Sequence, residues 1–168
     1  MQLYVPFVAV LAAVAMTMVG TALAQTAAPV PAHPLAKPAE KPTGWVADAK
    51  TGCKIWDSAP DPAESITWSG QCEDGMADGA GTLQFYIGEE AVTRYVGEMR
   101  NGRADGQGVN LEPDGTRYEG SWRNNAANGP GVYTKAGVRY EGMWSNGCLK
   151  QGAAELTVGV SRESCGFK

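Results

Sequence analysis

Four segments of the chain repeat one arrangement of aromatic residues and glycines at a spacing of 22 to 27 residues. Aligned on their glycines, they read WSGQCEDGMADGAG, YVGEMRNGRADGQG, YEGSWRNNAANGPG and YEGMWSNGCLKQG, and they begin at Trp68, Tyr95, Tyr118 and Tyr140. Self-similarity at a short fixed period is typical of one supersecondary unit stacked on copies of itself. The chain is therefore predicted to be a repeat protein, a class that builds surfaces more often than reaction centres.

The third copy, residues 118–137, indicates what one unit is. Over 118–123 an aromatic residue or glycine alternates with a polar residue, which predicts a strand with one aromatic and one polar face. Turn-forming residues follow at Asn124, Asn125, Asn128 and Gly129. A second strand is predicted over 131–135, and Ala136-Gly137 closes it with another turn. The predicted fold class is therefore all-β: an antiparallel β-meander of stacked hairpins in a single curved sheet.

Glycines inside the predicted strands need a reason, because glycine normally weakens a strand. The missing Cβ atoms let an aromatic ring from a neighbouring strand lie flat over the backbone. We therefore interpret the repeat aromatics as core or stacking residues, with an exposed ligand-binding ladder as the alternative. The predicted aromatic face consists of Trp68, Tyr95, Tyr118, Trp122, Tyr133, Tyr140 and Trp144. Asn110 takes the place that Leu83 and Tyr133 take in other copies, so the second unit is predicted to have a weaker face.

The combination of Tyr-x-Gly-x-x-x-x-Gly with a following Gly-x-Gly, seen over 95–108, resembles the MORN (membrane occupation and recognition nexus) repeat family. The resemblance covers about residues 66–152, and 118–131 repeats it with one change, Asn125 where a glycine is usual. The first copy also departs from the pattern, with Trp68 for tyrosine, and the fourth copy lacks its Gly-x-Gly. The resemblance implies a scaffold, a protein-interaction module or a lipid-binding surface, and it brings no catalytic residues with it.

The N-terminal segment predicts export. Residues 1–24 contain no charged side chain and end in Ala22-Leu23-Ala24, which is typical of a signal peptide cleaved after Ala24. An uncleaved membrane anchor is the alternative, since 3–24 could just span a bilayer. Residues 25–44 are rich in alanine and proline and are predicted to be a disordered linker. The protein is therefore expected in the periplasm, here assigned to a bacterium, or outside the cell.

The cysteines are predicted to be disulfide-bonded, because they are even in number in a chain expected to be exported. Cys53 and Cys72 flank the turn Pro60-Asp61-Pro62, so a symmetric hairpin would place them opposite one another. The same reasoning pairs Cys148 with Cys165. The remaining domain boundaries follow: an N-terminal β-hairpin arm over 45–65, four repeats over 66–152, and a C-terminal strand cap over 153–168.

Charge and composition exclude several functions. The net charge is −4 with no basic run, which argues against nucleic acid and against strong binding to anionic lipid. Arginines such as Arg103 alternate with acidic residues, which predicts a solvated mixed-charge face. The single histidine, His33, lies in the linker, so no nucleophile–base pair, metal site or cofactor site is predicted. Carboxylates on turns are the only candidates for chemistry: Glu73, Asp74, Asp78, Glu89 and Glu90, with Glu73 and Glu89 as the pair that curvature could bring together.

The sequence thus predicts a non-catalytic binding or scaffolding module of the cell envelope. Its expected partner is another envelope protein, with no small-molecule substrate. Two alternatives stay open: a module that associates with membrane lipid, and an envelope glycan hydrolase that uses acidic residues.

Overall fold

A computed structural model describes residues 44–168, so the predicted signal peptide and nearly all of the linker lie outside the described residues. The twelve strands are β1 (Trp45–Ala47), β2 (Lys54–Trp56), β3 (Glu64–Trp68), β4 (Gln71–Glu73), β5 (Met76–Ile87), β6 (Glu90–Arg100), β7 (Arg103–Leu111), β8 (Arg117–Arg123), β9 (Ala126–Lys135), β10 (Val138–Trp144), β11 (Cys148–Gln151) and β12 (Ala154–Thr157). Over these residues the only helix is a single 3₁₀ turn, Glu163–Cys165. No helix in this part of the chain has the length and apolar character needed to cross a membrane.

Strands β5 to β10 form an antiparallel meander in sequence order; β1 to β4 join it at the β5 end to complete a ten-stranded sheet, and β10 is the other edge. This confirms the predicted all-β repeat fold. Three of the five turns in this meander are two-residue turns in which both residues have positive φ, the conformation that matches the twist of the flanking strands: Asn101-Gly102, Asn124-Asn125 and Ala136-Gly137. The turn between β8 and β9, in the third repeat, is shorter than predicted: it contains only Asn124 and Asn125. Strand β9 already begins at Ala126, so Asn128 and Gly129 belong to a strand and not to the turn.

Consecutive repeats are joined through an Ala-Asp-Gly or Ala-Asn-Gly segment at the start of every second strand. The N–H of Asn125 donates to the carbonyl of Ala104, and the N–H of Gly102 donates in the same way to Ala77, both at 2.9 Å. The side chain of Asp78 accepts from the N–H of Asn101 at 3.2 Å. Each of these segments therefore accepts hydrogen bonds from backbone N–H groups in the turn of the next repeat, which would otherwise remain unpaired.

The tyrosine rings take the place of the Cβ atoms that the strand glycines lack, as the sequence predicted. A Cβ on Gly108 would collide with the Tyr95 ring, and one on Gly131 would collide with the Tyr118 ring. Each ring ends in a hydrogen bond: the Tyr95 hydroxyl donates to the carbonyl of Glu98 at 2.8 Å. The strand register shifts beside this carbonyl, between Gly97 and Met99. The bulge thus presents an acceptor where the tyrosine hydroxyl ends, and the repeat of Tyr and Gly follows from that geometry.

The N-terminal arm joins the sheet differently from the prediction. Cys53 and Cys72 are bonded, with Cα atoms 5.7 Å apart, but they do not face one another across a β2–β3 hairpin. Strand β2 pairs with β1 and makes a single parallel bridge, Lys54 to Met76, whereas β3 pairs with the far half of β5. Strand β4 pairs with the near half of β5. The two cysteines meet because β2 and β4 both border the beginning of β5.

Two further contacts fix the arm to the repeats. The guanidinium group of Arg103 lies over the rings of Trp45 and Trp56, 5.1 and 5.0 Å from their centroids. Arg103 is therefore a packing residue and not, as predicted, part of the solvated charged face. Asp48 is buried, and its carboxylate accepts the N–H groups of Lys50, Thr51 and Trp68. Burial raises the pKa of Asp48, but the three N–H donors outweigh this effect and lower it overall.

The C-terminal segment folds back over the aromatic face. Strands β11 and β12 form a separate two-stranded sheet, and Cys148 is bonded to Cys165 with Cα atoms 5.8 Å apart. A Cβ on Gly142 would meet the side chain of Leu149. Gly159 lies against the backbone at Asn125, with no room for a Cβ between them. The chain therefore leaves the plane of the sheet after β10 and covers one end of its aromatic side.

Candidate functional site

The predicted aromatic residues lie on one face of the sheet and are largely buried. Trp68, Tyr95, Tyr118, Trp122 and Trp144 are buried, whereas Tyr133 and Tyr140 are half-buried. Successive rings meet edge to face: Trp122 contacts Tyr95 and Tyr118 with ring centroids 5.5 and 5.0 Å apart. The face is thus a packed layer of aromatic rings, and only parts of it remain open.

The open part is a groove of about 670 Å³, here called the aromatic groove. Its floor is formed by Tyr95, Tyr118, Trp122 and Tyr133. One wall is the end of β2 and the residues that follow it, 55–58, and the other is the last residue of β12 and the two that follow it, 157–159. Each wall lies next to a disulfide: residues 55–58 follow Cys53 closely in the chain, and Thr157 is opposite Cys148 in the β11–β12 pair.

The aromatic groove has a polar rim at the place where the sequence predicted a weaker face. Asn110 lies opposite both Tyr95 and Tyr118 in the sheet register. Its amide donates to the carboxylate of Glu112 at 2.6 Å, and the hydroxyl of Thr93 donates to the same carboxylate at 2.7 Å. The carboxylate is therefore fixed in place with donors on both oxygens. Sequence reasoning missed Glu112 because it stands beside a turn, where acidic residues are usually solvated.

The charge around the aromatic groove is predominantly acidic. Asp57, Glu112 and Asp114 line it, and Lys135 is the basic residue among the lining residues. Burial raises the pKa of Tyr118 to about 12, so its hydroxyl is neutral at ordinary pH. Burial, with Glu98 and Asp105 nearby, likewise raises the pKa of Tyr95. The site thus offers apolar ring surface and negative charge.

Asn125 closes one end of the aromatic groove and explains a departure from the repeat pattern. Its side-chain oxygen accepts the N–H of Ala104 at 2.6 Å, and its amide donates to the carbonyl of Trp56 at 2.9 Å. A glycine at this position could adopt the same positive φ, but it could not join the arm to the repeats.

We expect Asn125→Gly to lower the free energy of unfolding by about 2 kcal/mol, because it removes two hydrogen bonds and leaves the buried N–H of Ala104 unpaired. Urea denaturation of the oxidised protein measures this. The control is Asn124→Gly, an exposed position in the same turn with positive φ, which should change stability by less than about 0.5 kcal/mol. Equal losses in the two variants would mean that the Asn125 side chain contributes nothing beyond its backbone conformation.

The opposite face of the sheet carries the charges. Arg117 and Glu119 form an ion pair at 2.7 Å, and Arg139 and Glu141 form another at 2.8 Å. These side chains are substantially exposed, so each pair contributes little to stability. This agrees with the predicted mixed-charge face.

The structure does not bring together Glu73 and Glu89, the pair of carboxylates that the sequence offers as candidates for catalysis. Glu73 is opposite the first residue of β5, and Glu89 lies in the turn after its last residue. They are therefore separated by the length of the strand, about 35 Å at the usual rise per residue. Asp78 caps the turn of the next repeat instead. Within the described residues no group of three or more potential metal ligands is found.

Residues 95–117, 118–137 and 140–147 match the MORN repeat family. Together with the hairpin architecture and the repeated Tyr–Gly packing, this shows that the chain is a MORN repeat-containing protein. The predicted first copy lies outside the matched residues, although its strand β5 pairs with β6 within the same meander. No curated protein matches the chain. MORN repeats are commonly binding or scaffolding modules, which is compatible with a non-catalytic role.

Proposed function

We propose that this protein is an exported binding module of the cell envelope, and that its aromatic groove holds a segment of a partner protein. The observation that carries the proposal is the groove itself: a floor of aromatic rings with a fixed acidic rim, between two walls next to disulfides. Large concave sites with apolar floors and a few placed polar groups are the usual form of binding sites.

The chemistry of the aromatic groove suggests what the partner presents. The Tyr133 ring is half-buried, so it retains surface for contact. The Glu112 carboxylate is held by two donors and lines the same groove as the Tyr133 ring. A partner segment with an apolar side chain and a neighbouring lysine or arginine would complement both features. An anionic lipid headgroup would meet the acidic rim unfavourably, so a protein segment is the better occupant.

Two observations support the location. All four cysteines are paired in the described residues. Such bonds form and persist in oxidising compartments. The predicted signal peptide would deliver the chain there. The periplasm is the compartment we propose, with release from the cell as the other possibility.

The proposal is tested by site-specific photo-crosslinking in cells that make the protein. A photoreactive phenylalanine replaces Tyr133 in the aromatic groove or, as the control, Arg123 on the charged face. We expect one protein to be crosslinked from position 133 and not from position 123. Crosslinking to lipid alone from position 133 would favour the membrane-associated alternative, and no groove-specific product would contradict the proposal.

Affinity for the captured partner then tests the acidic rim. We expect Glu112→Gln to weaken binding about tenfold, the loss of one charge-assisted contact. Glu119→Gln removes the same charge from the opposite face and should leave binding unchanged. Isothermal titration calorimetry of both variants against the purified partner separates the two positions. Equal affinities for the two variants would show that the charge of Glu112 does not contribute to binding.

A further inference from the structure

Strand β10 leaves one edge of the sheet open. It pairs with β9 on one side and ends the ten-stranded sheet on the other. The next strand does not continue the meander: it makes a single bridge to the sheet, Ser145 to Cys148, and then pairs with β12. Because Leu149 lies over Gly142, β11 sits above the aromatic face and not beside β10.

The register identifies the backbone groups on this edge. The two-residue turn Ala136-Gly137 makes Val138 and Lys135 a hydrogen-bonded pair, so Val138 faces β9. Ser145 instead faces away from β9, since it exchanges both backbone hydrogen bonds with Cys148 at 3.0 Å. Backbone direction alternates along a strand. Consequently Arg139, Glu141 and Met143 direct their N–H and C=O groups outward.

Nothing in residues 44–168 pairs with the outward groups of these three residues. Edges of this kind are usually protected by charged side chains, by proline, by a bulge or by an inward-pointing charge. The charged residues of β10, Arg139 and Glu141, are of opposite sign. The β9–β10 register runs without a bulge, and β10 contains no proline. Met143 and Val138 are exposed by 70% and 51%. At the other end of the sheet, by contrast, the Asp48 carboxylate accepts the outward N–H of Trp68.

We propose that β10 pairs antiparallel with β10 of a second copy of the chain, about a two-fold axis at Tyr140. In this register Arg139 lies opposite Glu141 of the second copy, and Glu141 lies opposite Arg139 of the second copy. Both residues have outward backbone groups, so each opposed pair exchanges two hydrogen bonds. Their side chains share the charged face, where opposite charges across a strand pair stabilise it.

Charge selects this register over its neighbours. An axis at Glu141 would place that residue opposite itself, with like charges in contact. An axis at Gly142 would place Glu141 opposite Met143 and would direct Arg139 toward Ser145, whose backbone is already bonded to Cys148. Only the axis at Tyr140 matches every charge with its opposite.

The resulting dimer joins two ten-stranded sheets into one. The Tyr140 rings of the two copies become neighbours on the aromatic face, and both aromatic grooves remain open. Because the paired segment is short, we expect association in the micromolar range, as for small interfaces. This proposal does not depend on what the groove binds.

Sedimentation velocity of the oxidised protein over a concentration series tests the pairing. We expect a reversible monomer–dimer equilibrium. Arg139→Glu places two glutamates opposite two others, and Glu141→Arg does the same with arginines, so each variant alone should associate at least tenfold more weakly. Both positions are exposed, so neither variant should lose its fold; circular dichroism verifies this.

Mixing the two single variants supplies the decisive result. In the mixed dimer every opposed pair again combines a glutamate with an arginine, so association should return to the native level. The control is the matched change on an interior strand, Arg117→Glu, which should leave the equilibrium unaltered. A native protein that stays monomeric at millimolar concentration, or single variants that associate as well as the native chain, would overturn the proposal.

Discussion

We expect the Gly120→Ala protein to lose about 3 kcal/mol of unfolding free energy, the upper range for overpacked cores. The φ of Gly120 suits any residue, so the loss comes from contact alone. A Cβ there would stand 2.5 Å from Cα of Gly131, 2.6 Å from the carbonyl oxygen of Pro130 and 2.8 Å from the Tyr118 hydroxyl. Two of these three atoms belong to backbone, which can move only if the β8–β9 ladder opens.

Gly142→Ala is a matched control for this result. It has the same place in the fourth repeat, two residues after Tyr140, and its added Cβ would meet only the end of the Leu149 side chain, 2.9 Å away. A flexible side chain can move aside, so we expect a loss below about 1 kcal/mol. Thermal unfolding of the two oxidised proteins measures the difference. Similar losses in the two variants would mean that strand propensity, and not the close contact of the glycine with the tyrosine ring and the facing backbone, explains the repeat glycines.

The contrast between these two glycines shows what the repeat pattern could and could not predict. The spacing of Tyr118 and Gly120 predicts the strand, its aromatic and polar faces, and the packing of the ring over the glycine backbone, because these are local properties of one hairpin. Gly142 has the same spacing, yet its neighbour is Leu149, from a strand that has left the sheet. A pattern repeated along the chain predicts the interior of the array and fails at its ends, where the next copy is missing.

The N-terminal arm illustrates the same limit. Cys53 and Cys72 pair as predicted, although the hairpin that was used to pair them does not exist. Their contact depends on β2 and β4 reaching the beginning of β5 from opposite directions. A short parallel bridge of this kind involves residues distant in sequence and carries no local signal. Cysteine spacing is compatible with several topologies, so a correct pairing does not establish the strand order.

The aromatic groove was predictable in part. The alternation of residues identified its floor, and Asn110 was recognised as an interruption of the aromatic face. Its partner Glu112 was not found, because a carboxylate at a turn has the same sequence appearance whether it is solvated or held by two donors. For Asn125 the sequence likewise indicates only a departure from the usual glycine. Both residues act through side-chain contacts across strands, which periodicity does not describe.

The second large effect is expected at Trp122, where the floor of the aromatic groove is also part of the core. Trp122 is 8% exposed, contacts Tyr95 and Tyr118 edge to face, and donates its ring N–H to the carbonyl of Gly108 at 3.1 Å. We expect Trp122→Ala to cost about 4 kcal/mol, in the range for large aromatic residues removed from a core. Denaturant unfolding of the oxidised protein measures the loss.

Two variants separate packing from recognition at this position. Trp122→Phe keeps ring contacts and leaves the Gly108 carbonyl unpaired, so it should lose about 1 to 2 kcal/mol. Trp68→Ala removes a buried ring that does not line the aromatic groove, so it should destabilise the protein without altering affinity for the crosslinked partner, measured where the variant is folded. If Trp122→Ala retained full stability and lost only partner binding, the ring would be a recognition residue, and the aromatic face would have to be interpreted as an exposed ligand-binding ladder.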